Sequence, residues 1–129
     1  MSFSGPHPYV SRRNLRREGT VGEEMAARYL AGRGYRIIER NFRFRRLGEI
    51  DIIARDGTDL VFCEVKSRTN DAYGLPEEAV TPAKQETIRR VASAYCALRG
   101  IGGRPCRFDV VTVRCGLPVP VITLFQNAF

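Results

Sequence analysis

Apolar residues at helical spacing predict a first helix near the N-terminus. The stripe runs from Met25 to Leu30 and is followed by Gly32, which is typical of a helix end. Thr20 and Glu23 have the spacing of a capping box, in which a threonine side chain and a glutamate three residues later bind the free backbone N–H groups of a helix start. We therefore expect the helix to begin at Thr20.

A second helix is predicted after a loop in the middle of the chain. Thr81 is suited to be its N-cap, and Pro82 fits the first helical position, where no backbone N–H is needed. The helical pattern continues to about Arg99, and Gly100 then interrupts it. Thr81 and Gly100 thus bound a helix of about five turns.

Short segments of β-branched and aromatic residues predict five strands. The first consists of two strand-like pieces, 35–40 and 41–45, and the others cover 48–54, 60–68, 107–113 and 119–125. The resulting order, α-β-β-β-α-β-β, predicts one α/β domain over residues 19–129, with a mixed sheet flanked by helices. Residues 1–18 precede this domain and are expected to form a flexible basic arm.

The net charge of the chain indicates what kind of partner it binds. The 129 residues carry a net charge of +7, and residues 1–50 hold 11 basic and 5 acidic side chains. A concentrated basic surplus favours a polyanion, most often nucleic acid, although a solvated arginine-rich face would have the same composition. No apolar run is long enough for a membrane span and no secretory leader is visible, so we expect a cytoplasmic protein with no membrane partner.

Cysteine and histidine are placed unfavourably for two common kinds of site. The cysteines, Cys63, Cys96, Cys106 and Cys115, form no C-x-x-C pair, which argues against a zinc finger or ribbon. His7 is the only histidine and lies between glycine and prolines. A Ser-His-Asp or Cys-His mechanism is therefore not expected.

The candidate chemistry lies in the hairpin around Asp56-Gly57, a typical tight turn. A two-residue loop would pair Asp51 with Phe62, and a four-residue loop would pair Asp51 with Glu64. Either even-length loop puts Asp51, Glu64 and Lys66 on one face of the sheet, whereas a three-residue loop would send Glu64 to the other face.

Strand alternation also predicts which neighbours share that face. On the first strand of the hairpin, Glu49, Asp51 and Ile53 should lie together, with Ile50 and the other even-numbered residues on the opposite face. The next strand repeats this arrangement, so each strand has one apolar face and one face that carries charge.

Two carboxylates on adjacent strands repel each other unless a cation lies between them. Mg²⁺ binds a few carboxylate oxygens and retains several waters, and a nearby ammonium group can stabilise charge on a phosphate. Lys66 and Lys84 are the only lysines among 21 basic residues. The pattern suits phosphodiester hydrolysis, and the alternative is a charged sheet face with a cross-strand salt bridge.

Longer segments carry a family resemblance. The segment GEIDIIARDGTDLVFCEVKSR resembles the central signature of the YraN-like endonuclease-related family in the PD-(D/E)xK nuclease superfamily. Further matching segments are GEEMAARYLAGRGYRIIERNFR, GLPEEAVTPAKQ, RFDVV and the terminal NAF. The resemblance implies a restriction-endonuclease-like fold, similar to archaeal Holliday junction resolvases. Members of the family are largely without an assigned activity.

The resemblance also implies roles for single residues. Asp51 takes the place of the first acidic residue of the motif, and Glu64 and Lys66 that of E-x-K, with Ile50 where the superfamily often has proline. Mg²⁺ or Mn²⁺ would be held by these two acids, by Glu23 from the first helix and by the Val65 carbonyl. The capping box remains the alternative role of Glu23.

Phosphate contacts are expected from neighbouring basic and polar residues, namely Arg43, Arg45, Arg46, Arg68, Lys84 and Gln85. The leading hypothesis is a metal-dependent endonuclease that acts on DNA. The resemblance to the superfamily further implies that the substrate is branched or structured DNA and that the enzyme acts as a homodimer. The first alternative is a nucleic-acid-binding accessory protein that keeps the fold without cleaving. The second is a structural or interaction protein whose acidic residues only stabilise the sheet.

Overall fold

A computed structural model describes residues 10–68 and 80–129, of which residues 10–20 are described by their backbone alone. It contains two helices and five strands in the order that the sequence predicted. These are α1 (Val10–Gly32), β1 (Arg36–Phe44), β2 (Gly48–Asp56), β3 (Asp59–Arg68), α2 (Pro82–Arg99), β4 (Cys106–Arg114) and β5 (Val121–Phe125). Over this described part of the chain, neither helix has the length and apolar character needed to cross a membrane.

The five strands form one mixed sheet in the order β1-β2-β3-β4-β5. Strands β3 and β4 are parallel, because α2 connects them, and the other neighbouring pairs are antiparallel. This architecture confirms the predicted α/β class and is that of a restriction-endonuclease-like fold.

Each face of the sheet is covered by one helix. On one face, Ile88, Val91 and Tyr95 of α2 pack with a core that includes Phe62 and Val110. On the other face, α1 supplies a second core, consisting with its strand partners of Ala26, Ala27, Leu30, Tyr35, Ile52, Ala54, Val61, Cys63, Val111 and Val113. The central strands are therefore buried on both sides, and we call these the α2 face and the α1 face.

The predicted limits of α2 are confirmed, and the predicted start of α1 is wrong. Thr81 caps α2 and accepts a hydrogen bond from the backbone N–H of Lys84 at 3.2 Å. Helix α1, by contrast, begins at Val10, so Thr20 lies inside it and cannot be its N-cap. The capping box thus no longer accounts for Glu23. Residues 1–9 of the predicted arm lie outside the described residues, and its flexibility stays a prediction.

The hairpin of β2 and β3 has the register that brings the two acids together. Asp56 pairs with Asp59 and Ile52 with Cys63, so continuing the ladder by one residue sets Asp51 opposite Glu64. This is the register expected of a four-residue loop. The turn itself is shorter, because Asp56 and Asp59 are paired and Gly57 supplies the left-handed φ of 62° that a tight turn needs.

The prediction of strict alternation along β2 is wrong at one point. Ile53 packs in the α2-face core and Ile52 in the α1-face core, as alternation requires. Ile50 should then lie with Ile52, yet it packs in the α2-face core. The outer part of β2 is therefore turned over, and the change occurs at Asp51.

Candidate functional site

Asp51 and Glu64 form the centre of the candidate site, on neighbouring strands at the end of the β2–β3 ladder. Asp51 Oδ2 accepts a hydrogen bond of 2.8 Å from the backbone N–H of Val65, which fixes the carboxyl group beside β3. The carboxyl groups of Asp51 and Glu64 lie close enough for each to change the pKa of the other. The sequence prediction that these acids lie together is confirmed.

Both lysines of the chain converge on one oxygen of Glu64. Lys66 Nζ and Lys84 Nζ each lie 3.8 Å from Glu64 Oε2. Lys66 comes from β3, two residues after Glu64 and on the same face, and Lys84 comes from the first turn of α2. The Glu64 side chain is only 6% exposed, whereas those of Lys66 and Lys84 are 28% and 41% exposed. The ammonium groups therefore lie between the buried acid and solvent.

The pKa values of the two central acids, Asp51 and Glu64, are both raised. Burial, followed by the negative charge of Asp51, raises the pKa of Glu64 to about 8, although Lys84 and Lys66 act in the opposite direction. Burial also raises the pKa of Asp51, against the effect of the Val65 hydrogen bond. Two neighbouring carboxyl groups repel each other when both are ionised. A cation bound between them would offset this repulsion.

A second acidic group lies on the other side of Asp51. Burial and the charges of Asp51 and Glu49 raise the pKa of Glu23, on α1, to about 7. With its amide nitrogen turned toward both acids, Asn41 donates to Glu23 Oε1 at 2.9 Å and to Glu49 Oε2 at 3.3 Å. Asp51 therefore lies between Glu64, on the side toward α2, and the pair of Glu23 and Glu49, on the side toward α1.

The crowding of Asp51 and Glu64 contrasts with the surroundings of Asp109, another buried acid in the same sheet. Asp109 is completely buried, but its carboxylate accepts from Arg107 Nε at 3.0 Å, the Tyr35 hydroxyl at 2.9 Å and the Asn127 N–H at 2.9 Å. A buried charge with such partners is what a purely structural acid needs. Asp51 and Glu64 instead lie against each other, which is typical of a functional site.

The donor set fits a hard divalent cation. Among the described side chains, those of residues 21–68 and 80–129, no three acidic, histidine or cysteine groups lie together so that they could hold a metal ion by themselves. Mg²⁺, however, is usually bound by one or two carboxylates together with waters and substrate phosphates. Asp51 and Glu64 supply that pair. The ligand roles of Glu23 and of the Val65 carbonyl stay predictions.

The residues predicted to contact phosphates occupy three places. Arg43, Arg45 and Arg46 lie at the turn between β1 and β2, where Arg43 Nη2 is 3.5 Å from Glu49 Oε1 and Arg45 lies over the Phe44 ring. Arg68 ends β3. Lys84 reaches the acids, as already described.

Gln85 has a local partner within the described structure. Its amide nitrogen donates to the Val80 carbonyl at 2.9 Å, which holds the start of α2. The neighbouring Lys84 is therefore the side chain of this predicted pair that the structure brings to Glu64. A phosphate contact from Gln85 stays a prediction.

Sequence reasoning missed Asn41 and gave Glu49 no role beyond its face of the strand. An asparagine inside a predicted strand is a signal, because asparagine adopts the left-handed conformation more readily than most residues. Asn41 has that conformation, with a φ of 57°. Its contacts with Glu23 and Glu49 depend on the packing of α1 and could not be read from spacing.

Comparison with known proteins gives a family and no reaction. The profile of the uncharacterised protein family UPF0102 matches residues 22–113. A UPF0102 protein of Symbiobacterium thermophilum is 55% identical over 115 residues, covering 88% of this chain and 97% of the relative. A UPF0102 protein of Acetivibrio thermocellus is 44% identical over 124 residues, with 92% and 95% covered. One from Syntrophus aciditrophicus is 50% identical over 113 residues and 88% of each chain.

Proposed function

Since the chain belongs to the family UPF0102, the YraN-like nuclease-related family that its sequence resembles, we propose that it is a metal-dependent DNA endonuclease that hydrolyses phosphodiester bonds. One observation carries the proposal. Asp51 and Glu64 lie side by side on adjacent strands, and both lysines of the chain lie 3.8 Å from the same oxygen of the buried Glu64. A salt bridge that only stabilised the sheet would need one acid and one lysine.

Asp51 and Glu64 are the residues that would hold Mg²⁺ or Mn²⁺. Such an ion lowers the pKa of water and stabilises negative charge on a phosphoryl group. Asp51 is fixed for this task by the N–H of Val65, and Glu64 by its burial in the sheet. Neither side chain has to search for its position when DNA binds, which favours catalysis by preorganised groups.

The two lysines would act on the attacking water and on the phosphate of the substrate. Lys66 is more than one-quarter exposed and adjoins Glu64 on β3, so its ammonium group can orient a water molecule for attack on the phosphorus atom. Lys84 approaches the same place from α2 and is more exposed. Its charge can offset the negative charge of the phosphate. Arginines at the β1–β2 turn and at the end of β3 would hold neighbouring phosphates of the DNA backbone.

A second candidate function follows from the same ion pairs. Because Lys66 and Lys84 lie close to Glu64, the chain compensates part of its own buried charge without an added cation. That arrangement also suits an accessory protein that binds nucleic acid through the nuclease fold and does not cleave it. The two functions differ in whether DNA is cut when a divalent cation is added.

The test is a cleavage assay with duplex, single-stranded, flap and four-way DNA, in Mg²⁺ and in Mn²⁺, with Asp51→Asn as the matched control. The proposal expects at least one substrate to be cut by the wild type only when metal is present, and Asp51→Asn to bind that substrate without cutting it. Binding without cleavage by the wild type under every condition would favour the accessory function. Equal cleavage by both proteins would point to a contaminating nuclease and contradict the assignment.

A further inference from the structure

Asn41 lies where both strands of the β1–β2 hairpin change faces. On β1, Arg40 pairs with Glu24 of α1 at 2.7 Å, whereas Phe42, two residues later, packs edge-on against Tyr95 of α2. Alternation would put Arg40 and Phe42 on one face. The reversal therefore occurs at Asn41, whose φ of 57° is left-handed.

The reversal is matched on β2. Arg40 pairs with Ile52 and Phe42 with Ile50, so Asn41 is opposite Asp51. Ile52 packs in the α1-face core and Ile50 in the α2-face core. The two strands are thus turned over together at the residue that faces the central acid.

The reversal of faces determines on which side of the sheet the Glu49 side chain lies. With unbroken alternation, Glu49 would lie on the α2 face with Asp51 and Ile53. After the reversal it lies toward α1. With the Asn41 amide turned so that its nitrogen faces both acids, that nitrogen is 3.3 Å from Glu49 Oε2 and 2.9 Å from Glu23 Oε1. One amide group therefore links a helix and a strand through two acids that would otherwise repel each other.

We propose that Asn41 is a positioning residue of the site: its backbone turns the outer hairpin over, and its amide holds Glu23 and Glu49 together beside Asp51. The consequence for cation binding rests on the proposed function. The link between α1 and the hairpin does not, and it can be measured in the metal-free protein.

Two substitutions separate the backbone from the amide. Asn41→Gly keeps the left-handed conformation at no steric cost but removes the amide and adds the backbone freedom of glycine, whereas Asn41→Ala removes the amide and strains the backbone. Asn127→Gly is the matched control, because Asn127 also has a left-handed φ, of 53°, and its N–H contacts Asp109 rather than the site acids.

The first measurement is amide hydrogen exchange in the metal-free protein. Loss of the link should speed exchange in residues 22–27 of α1 and 48–51 of β2 by roughly tenfold in Asn41→Gly, as expected for the loss of hydrogen bonds to charged groups. Asn41→Ala should add roughly another tenfold through backbone strain. Asn127→Gly should leave these segments unchanged. Unchanged exchange in Asn41→Gly would overturn the inference.

The second measurement is Mn²⁺ affinity by calorimetry, which a merely structural link would not alter. Removing a residue that orients acids beside a metal site typically costs roughly 10- to 100-fold in affinity, and we expect a loss of that size in Asn41→Gly and none in Asn127→Gly. Equal Mn²⁺ affinity in Asn41→Gly and wild type would overturn the positioning role. If wild type bound no Mn²⁺ while exchange changed as expected, the proposed function would fail and the link would stand.

Discussion

At the scale of single residues, replacing each lysine by arginine separates the effect of side-chain shape from that of charge. Both face Glu64 Oε2 at 3.8 Å, so replacing either by arginine keeps a positive charge near the acid. Arginine, however, is a planar fork that pairs with carboxylates through two parallel hydrogen bonds. At position 66 it would compete for the oxygens of Asp51 and Glu64, whereas at position 84 there is room toward solvent.

Lys66→Arg should therefore fold and bind DNA while losing roughly 100-fold in cleavage rate, the cost of a misplaced group at a reacting phosphate. Lys84→Arg should lose roughly tenfold or less. The measurement is melting temperature, DNA affinity and single-turnover cleavage rate for both variants and wild type. Equal rates for Lys66→Arg and wild type would remove Lys66 from the mechanism.

The raised pKa of Glu64 predicts how stability depends on pH. The pKa of Glu64 rises from about 4.5 to about 8 on folding, so between these values the folded state holds a proton that the unfolded state releases. Stability of the metal-free protein should consequently fall as pH rises through this range. Glu23, with its pKa raised to about 7, acts in the same direction.

Glu64→Gln removes this titration and should be more stable than wild type at about pH 9 by roughly 1–3 kcal/mol, with a smaller difference at about pH 5. Glu86→Gln, on the exposed side of α2, is the control and should follow the wild type. Urea unfolding in the presence of a chelator measures the effect. The same pH dependence in Glu64→Gln and wild type would show that Glu64 ionises normally.

At the scale of secondary-structure elements, the site depends on how closely α1 approaches β3. Gly22 is buried, and a Cβ atom built on it would overlap Ser67 Oγ. Glycine is needed here for close approach. With a larger residue at position 22, the Ser67 hydroxyl must rotate away or α1 must move from β3, and a shift of α1 would carry Glu23 away from Asp51.

Gly22→Ala should destabilise the protein by about 1–3 kcal/mol, the usual cost of overpacking, and the double variant Gly22→Ala/Ser67→Gly should recover part of that loss. Gly32→Ala is the control, since a Cβ there meets nothing within 4 Å, and it should be neutral or slightly stabilising. Unfolding free energies of the four proteins decide the matter. A neutral Gly22→Ala would contradict the close packing.

Elements with strong local signals could be predicted from the sequence, and their mutual arrangement only in part. Thr81 and Gly100 mark α2 correctly because a capping threonine and a left-handed glycine act locally. The hairpin register places Asp51 opposite Glu64 as predicted, because a short turn sets the pairing of the two strands that it joins. The reversal at Asn41 was missed, because alternation assumes an unbroken strand. The start of α1 at Val10 was missed because the capping pattern at Thr20 can also occur within a longer helix.

At the scale of the whole molecule, the net charge of +7 should make DNA binding strongly dependent on salt. Arg45 and Arg46 are exposed at the β1–β2 turn, and Arg104 is exposed beyond the other end of β3. If the turn contacts phosphates, each arginine lost there should release about one counterion fewer on binding.

Arg45→Gln/Arg46→Gln should therefore lower the slope of log affinity against log salt by about 1–2, with no change in sequence preference. Arg104→Gln should leave the slope close to that of wild type. Fluorescence anisotropy with labelled DNA at several salt concentrations measures these slopes. A wild-type affinity that does not change with salt would mean that the basic surplus is a solvated surface.

Asp51 and Glu64 are proposed to form a divalent-cation site, and anomalous diffraction from crystals soaked in Mn²⁺ tests this proposal most directly. We predict one strong peak within about 2.0–2.3 Å of an oxygen of each acid, with Lys66 and Lys84 moved away from Glu64 Oε2. Crystals of Asp51→Asn should lack the peak. No peak at the two acids in the wild type, with Glu64 still facing both lysines, would contradict the account.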